Sequence, residues 1–371
     1  MPSARLPAGT PRAANARSVT FTSTLMVALG ALCLALGVAG CSAPGNVGNP
    51  AVTHAAPDSA AVVDTHTALP SWRNGAAKQT IESFVADVTR PGSPNFVPPA
   101  GRIAVFDNDG TLWSEQPIYF QFAFMLDQVK AAAPKHPEWQ SNPAFKALVA
   151  KDYGALASES KQMLQLVTVA NSGMTVDEYD KTIRDWLASA RHPKFNRPYT
   201  ELVYQPQLEL LAYLRANGFK TFIVSGGTIE FMRPWAEKAY GIPPEQVIGS
   251  SQLVQYEMHD GRPALVREPK LDFVDDGPGK PVGIYRNIGR KPILAFGNSD
   301  GDLQMLQYTM SGPGPHLALL VHHDDAVREF AYDRASKIGK LDHAWDTAIA
   351  EHWTVVSMKD DWQTIFPAAA P

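Results

Sequence analysis

The sequence predicts an α/β fold: a parallel sheet flanked by helices, with a helical segment inserted after the first strand. Four short apolar runs, Arg102–Phe106, Lys220–Val224, Pro292–Phe296 and Leu317–Val321, suit buried parallel strands, and each ends abruptly in polar or glycine residues. Helical patterns separate them, and strands alternating with helices close into a parallel sheet through right-handed crossovers. Between the first and second runs lie about a hundred residues that read as helix rather than strand.

Residues 1–40 stand outside any fold. Arg5, Arg12 and Arg17 precede an uncharged apolar stretch from Leu25 to Val38, the pattern of a secretory signal and too short for a good membrane span. Val38-Ala39-Gly40-Cys41 resembles the lipobox of bacterial lipoproteins, which implies lipid attachment at Cys41 and an extracytoplasmic, membrane-anchored location, in the periplasm or at the cell surface. Residues 41–70 are rich in Ala, Pro, Gly, Ser and Thr without an apolar period, and read as a flexible tether.

Residues 71–112 then open the α/β core, 113–204 form the helical cap, and 205–371 complete the core with a β-hairpin inserted at about 250–270. Within the cap, helical patterns run from Pro117 onward and from Ala155 to Ala170. Thr175-Val176-Asp177-Glu178 is a capping box, with Val176, Tyr179, Ile183, Trp186 and Leu187 on one face behind it. The hairpin reads as Leu253–Met258, a turn at Asp260-Gly261, and Ala264–Arg267. An insertion entering and leaving beside two strand ends is placed to act as a lid, and its Trp and Phe residues read as lid core.

Composition excludes several function classes. Both cysteines, Cys33 and Cys41, lie at the leader, so the rest of the chain has no thiol for a disulfide, a nucleophile or a thiolate metal site. Without the signal the chain carries 30 basic against 37 acidic residues, which is no nucleic-acid footprint. The sequence sets neither the oligomeric state nor the envelope type.

The chemistry centres on Ile103-Ala-Val-Phe-Asp-Asn-Asp-Gly-Thr-Leu-Trp113. A buried strand running into two carboxylates one residue apart needs something to offset their desolvation, and a cation or a reacting phosphate does so. Asp109-Gly110 as a plain hairpin turn fails because no alternating strand returns after it. A calcium loop starting at Asp107 fails because its sixth and twelfth positions hold Leu112 and Ile118. In open parallel sheets ligands sit beyond the carboxyl ends of the strands, so Asp107, Ser225 and Asn298 are expected to converge on one crevice.

The DxDGT stretch after a hydrophobic strand resembles the first motif of the haloacid dehalogenase superfamily. Val224-Ser225-Gly226-Gly227 is similar to its second motif, Lys280 to its third, and Gly297-Asn298-Ser299-Asp300-Gly301-Asp302 to its fourth, in order over about residues 101 to 325. The style is nearest to the phosphoserine-phosphatase-like branch. The resemblance implies a Rossmann-like core and a Mg²⁺-dependent phosphomonoesterase acting on small phosphate esters through an aspartyl-phosphate.

In that reading Asp107 is the nucleophile and Asp109 the general acid/base, which favours a phosphatase over the dehalogenases and ATPases of the superfamily. Ser225, Gly226, Gly227 and Lys280 hold the phosphate. Mg²⁺ is held by Asp107, Asp109, Asn298 and Asp302. The fourth motif departs from the family pattern, since Asn298 stands where aspartate is usual. Either Asn298 binds with Asp302 behind it, or Asp300 restores the missing carboxylate.

Each assignment has a duller rival. Ser225 as a helix cap, Gly226-Gly227 as a tight turn, and Lys270 in place of Lys280 are the alternatives. Glu115 falls near where phosphoserine phosphatases keep an acid for the substrate's amino group, or is an ordinary polar residue opening the lid. His322 and His323 edge the crevice or are plain polar neighbours. A non-catalytic surface lipoprotein using the fold for binding, and a phosphotransferase, are the rival functions.

Overall fold

A computed structural model describes residues 69–152 and 160–368. The expected signal, Cys41 and nearly all of the tether lie outside the described residues, as does the start of the helix expected from Ala155. Among the described residues no helix is long and apolar enough to cross a membrane.

The order is α1 (Ala76–Thr89), β1 (Ile103–Phe106), α2 (Phe120–Ala132), α3 (Pro143–Ala150), α4 (Ser160–Ala170), α5 (Val176–Ser189), α6 (Gln205–Ala216), β2 (Lys220–Thr228) and α7 (Ile229–Tyr240). It continues with β3 (Val247–His259), β4 (Arg262–Phe273), α8 (Gly279–Asn287), β5 (Leu294–Gly297), α9 (Leu303–Met310), β6 (Leu317–Asp324), β7 (Ala331–Tyr332), α10 (His343–Ala350), β8 (Thr354–Ser357) and α11 (Met358–Asp361). The fold is α/β, with a mostly parallel central sheet flanked by helices.

Strand order is β4-β3-β2-β1-β5-β6-β7, with β8 paired in parallel to β6. β3, β2, β1, β5 and β6 are likewise parallel to their neighbours, while β4 and β7 are antiparallel additions at the two sides. Phe106 is in register with Ile223 on one side and Phe296 on the other, so the residues that follow each strand emerge at one edge. The chain crosses from β1 to β2 on one side and returns from β4 to β5 on the other, and this reversal of direction opens a crevice at that edge beside β1.

The strands carry side chains alternately to two faces. Ala104, Phe106, Ile223, Leu294, Phe296 and Leu319 join the larger core, with α1, α5, α6 and α7 against it. Ile103, Val105, Phe222, Val224, Ala295 and Leu320 join the second, under α8, α9 and α10. All four residues of β1 are buried, as continuous apolarity in a two-sided sheet requires.

Among the described residues, the insertion after β1 carries the helices α2, α3, α4 and α5 and no strand. Thr175 Oγ1 accepts from the Glu178 backbone N–H at 3.1 Å and Glu178 Oε2 accepts from that of Thr175 at 2.8 Å, the reciprocal pair of a capping box. Behind it Tyr179, Ile183, Trp186 and Leu187 are buried, while Val176 is half-buried. Leu126, Val129, Trp139, Phe145 and Met163 form a separate apolar cluster within the cap. The hairpin is longer than its sequence signal: its antiparallel pairing runs from Ser251 with Phe273 to His259 with Arg262, and the β3 residues before it, Val247–Ser250, pair in parallel with β2. Asp260 and Gly261 both have positive φ, the backbone of a tight two-residue turn. Arg267 of β4 lies over the Tyr179 ring at 3.4 Å and donates to the Asn171 carbonyl at 3.2 Å, so the hairpin docks on the cap.

Candidate active site

The crevice beyond β1, β2 and β5 is a cavity of about 380 Å³. Asp107, Asp109, Ser225, Gly226, Gly227 and Lys280 line it together, with Glu115 and Ser299. Parallel register delivers Asp107 and Ser225 to the same edge, and the Asp107 backbone N–H extends the ladder to the Phe296 carbonyl at 2.9 Å. The cap contributes Tyr119, Gln121, Phe122 and Met125, and the β4 side Leu271 and Val274.

Lys280 arrives from the first turn of α8 and is buried to 2% exposure. Its Nζ donates to Asp107 Oδ1 at 2.7 Å, Asp302 Oδ1 at 2.6 Å and the Val224 carbonyl at 2.9 Å. Burial opposes the ammonium charge, but the two carboxylates outweigh it and hold Lys280 charged well above its usual range. Lys270, the sequence-level competitor, is exposed on β4 and lines a neighbouring cavity.

Burial, and then the Asp302 carboxylate, push Asp107 up against the pull of Lys280. Asp109 faces the cavity, and its enclosure by protein pushes it up to about 6, partly opposed by Trp113, whose Nε1 donates to Oδ1 at 2.7 Å. Stacking on Trp235 at 4.2 Å fixes that indole. A Cβ built on Gly227 would lie 3.3 Å from Ser225 Oγ and 3.8 Å from Asp109 Oδ2, so the glycine segment and the second carboxylate face one small volume.

Ser225 does not cap α7. Thr228 does, accepting from the Phe231 N–H at 3.3 Å, while Ser225 Oγ accepts from the Gly227 N–H at 3.1 Å. Gly226 and Gly227 continue β2 rather than forming a tight turn. Gln121 of the cap grips this segment, accepting from the Thr228 N–H at 2.8 Å and donating to its hydroxyl at 2.9 Å. Sequence reasoning missed Gln121, and no local signal marks it.

Of the fourth-motif residues Ser299 reaches the cavity, while Asn298 and Asp302 lie behind its wall. Asp302 is fully buried, and its Oδ2 accepts from the N–H groups of Asn298 and Ser299 at 2.9 and 3.0 Å. Asp300 turns away: its Oδ1 accepts from Asp342 and Ala344 at the start of α10, both at 2.9 Å. Asn298 Nδ2 donates to Glu115 Oε1 at 2.8 Å and its Oδ1 accepts from Thr111 Oγ1 at 3.0 Å. Glu115 is buried to 1% exposure and its Oε1 also accepts from the Tyr332 hydroxyl at 2.8 Å. His323 Nε2 lies 2.8 Å from the Gly110 carbonyl and its ring stacks on Tyr332, behind the first-motif loop. His322 packs edge-on against Trp345.

A family model for haloacid dehalogenase-like hydrolases matches residues 104–307. The chain belongs to this family. Among solved structures, the haloacid dehalogenase-like hydrolase is similar to a conserved functionally unknown protein from Anaerococcus prevotii DSM 20548 (16% identity, 67% of this chain and 86% of that one, TM-score 0.46). It is also similar to a protein with unknown function from Bordetella pertussis Tohama I (16%, 69% and 97%, 0.43). A probable phosphoserine phosphatase from Vibrio cholerae is a third (16%, 64% and 58%, 0.35). Likenesses this distant say nothing of substrate. No curated protein matches the sequence.

Proposed function

We propose that this hydrolase is a Mg²⁺-dependent phosphomonoesterase of small phosphate esters, working through an aspartyl-phosphate at Asp107. The observation that carries the reading is the convergence of Asp107, Asp109, Ser225-Gly226-Gly227 and Lys280 on one cavity.

The donor chemistry of the site fits a hard divalent cation. Asp107 and Glu115 are buried carboxylates on the cavity wall, Asp109 and Asp276 add two more there, Asp302 is buried behind it, and Lys280 is the single cationic residue on the wall. That excess of negative charge in a desolvated site calls for a cation with oxygen ligands. Asp107 through a carboxylate oxygen and Asp109 through its backbone carbonyl would hold Mg²⁺; Asn298 and Asp302, whose side-chain oxygens are engaged by Thr111, Lys280 and backbone N–H groups, stand behind them. Bound there, Mg²⁺ neutralises a phosphate dianion so that a carboxylate can approach it.

The chain's own residues then perform the transfer. The Asp107 carboxylate attacks phosphorus, its new O–P bond forming as the bond to the ester oxygen breaks. Asp109, whose raised pKa keeps a proton available near neutrality, gives that proton to the leaving alcohol. Asp109 next takes a proton from water as the water attacks phosphorus, releasing inorganic phosphate and restoring Asp107. Ser225 and the amides of Gly226 and Gly227 receive the phosphate oxygens; the Gly227 N–H exchanges its present bond to Ser225 Oγ for one to phosphate. Lys280 holds Asp107 in place and adds positive charge beside the transferred group.

The lipobox-like leader supports a location outside the cytoplasm, and with it scavenging of phosphate from exported or environmental esters over a biosynthetic role. The test is phosphate release from a panel of phosphomonoesters with and without Mg²⁺. Asp107→Asn is expected to abolish turnover; undiminished hydrolysis by that variant defeats the mechanism.

A further inference from the structure

The carboxylate that the fourth motif lacks at position 298 has a counterpart across the crevice. Glu115 is 1% exposed and shares the cavity wall with Asp107 and Asp109. Its Oε1 is held by Asn298 Nδ2 and the Tyr332 hydroxyl, both at 2.8 Å, and among the described residues no hydrogen bond reaches Oε2. A carboxylate buried in such a place is unfavourable without a cation beside it.

The backbone is nevertheless shaped around it. A Cβ at Gly110 would come within 2.4 Å of Glu115 Oε1, and one at Gly339 within 1.8 Å. Both glycines also have positive φ, +75° and +61°, which side-chain-bearing residues rarely adopt. Asn298, by contrast, has both ends of its amide engaged and is absent from the cavity wall. An amide can meet a carboxylate only through its NH₂, so Oδ1 is left to Thr111. An aspartate at 298 would set two anions at hydrogen-bond distance; asparagine removes that conflict and anchors the glutamate.

We infer, on the metal-dependent reading above, that Glu115 supplies through Oε2 the carboxylate ligand missing from the fourth motif, and that Asn298 is its positioning residue. The metal-binding carboxylate has moved from the loop after β5 to the loop after β1. Its partner at 298 has become an amide for that reason.

Binding of Mn²⁺ to the full chain, read by loss of the free-ion EPR signal, tests this without reference to turnover. Glu115→Gln keeps both hydrogen bonds to Oε1 and removes only the charge, so the metal-free chain is expected to melt no lower than wild type. Its Mn²⁺ affinity is expected to fall by about tenfold or more, since divalent-cation affinity follows ligand charge. The swap Glu115→Gln with Asn298→Asp returns one carboxylate to the same hydrogen-bonded pair and is expected to recover most of the loss.

No Mn²⁺ binding by wild type defeats the metal-dependent reading itself. Wild-type binding that Glu115→Gln leaves unchanged, or that the swap fails to recover, overturns the role of Glu115 alone. Should Glu115→Gln not fold, Glu115→Asp keeps the charge and shortens the reach; a loss of about tenfold supports the inference and wild-type affinity overturns it.

Discussion

Lys280→Met is the most informative single change. The native ammonium is 2% exposed and serves Asp107, Asp302 and the Val224 carbonyl at 2.6 to 2.9 Å. Removing one partner of a buried ion pair costs about 3–5 kcal/mol, because the opposite charge is left desolvated. Here two carboxylates are left. The sign of the pH dependence follows from Asp107, whose folded pKa is raised above its unfolded value. Between those values the folded state holds more protons than the unfolded, so stability falls as pH rises. Without Lys280 the folded value climbs further and the fall becomes steeper.

Each pH unit over which one carboxylate stays protonated only in the folded state is worth about 1.4 kcal/mol. Urea unfolding in chelator is therefore expected to show a deficit of about 3–5 kcal/mol at pH 8 that is smaller at pH 5 by about 1.4 kcal/mol or more. A deficit equal at both pH values, or below about 1 kcal/mol at pH 8, refutes the argument that the lysine neutralises the buried acids.

Trp113→Phe removes the hydrogen bond that lowers Asp109. A bond to a charged group is worth about 1.5–3 kcal/mol, so the pKa of about 6 is expected to rise by about 1–2 units, visible as the same displacement of the Asp109 limb in the pH–rate profile. An unmoved limb excludes Asp109 as the titrating group. Asp275, fully buried, is pushed up to about 7 by burial, against the pull of Lys280 and of the Ser225 backbone N–H. Its raised value means that stability falls as pH rises from about 4 to 7, by up to about 4 kcal/mol. Asp275→Asn is expected to flatten that part of the stability–pH curve, measured by urea unfolding; an unchanged slope assigns it to another group.

The strand runs and the motifs that follow them are local patterns, and local patterns are legible because each rests on covalent neighbours. β1 reads as buried on both faces from four apolar residues, and the capping box at Thr175 from a spacing of three. Lys280 is a harder case: its place one helix before the fourth motif favours it over Lys270, but the packing of α8 against β2 and β3 is what buries one and leaves the other exposed. The β3 residues Val247–Gly249 went unread as a parallel strand because their apolar run is too short to announce one.

Glu115, Tyr332 and Gly339 lie more than two hundred positions apart at the extremes, and no periodicity links them. Sequence alone determined the fold class and the residue types that chemistry requires at the strand ends, because backbone hydrogen bonding and burial act on short stretches. Tertiary structure decided which acid faces the cavity and which is spent on the scaffold: Asp300 caps a helix, Asp302 pairs with lysine, and Glu115 is walled in beside Asp107. That choice depends on which side chains from distant segments exclude water from a common volume, and desolvation is a property of the assembled volume rather than of any stretch of chain.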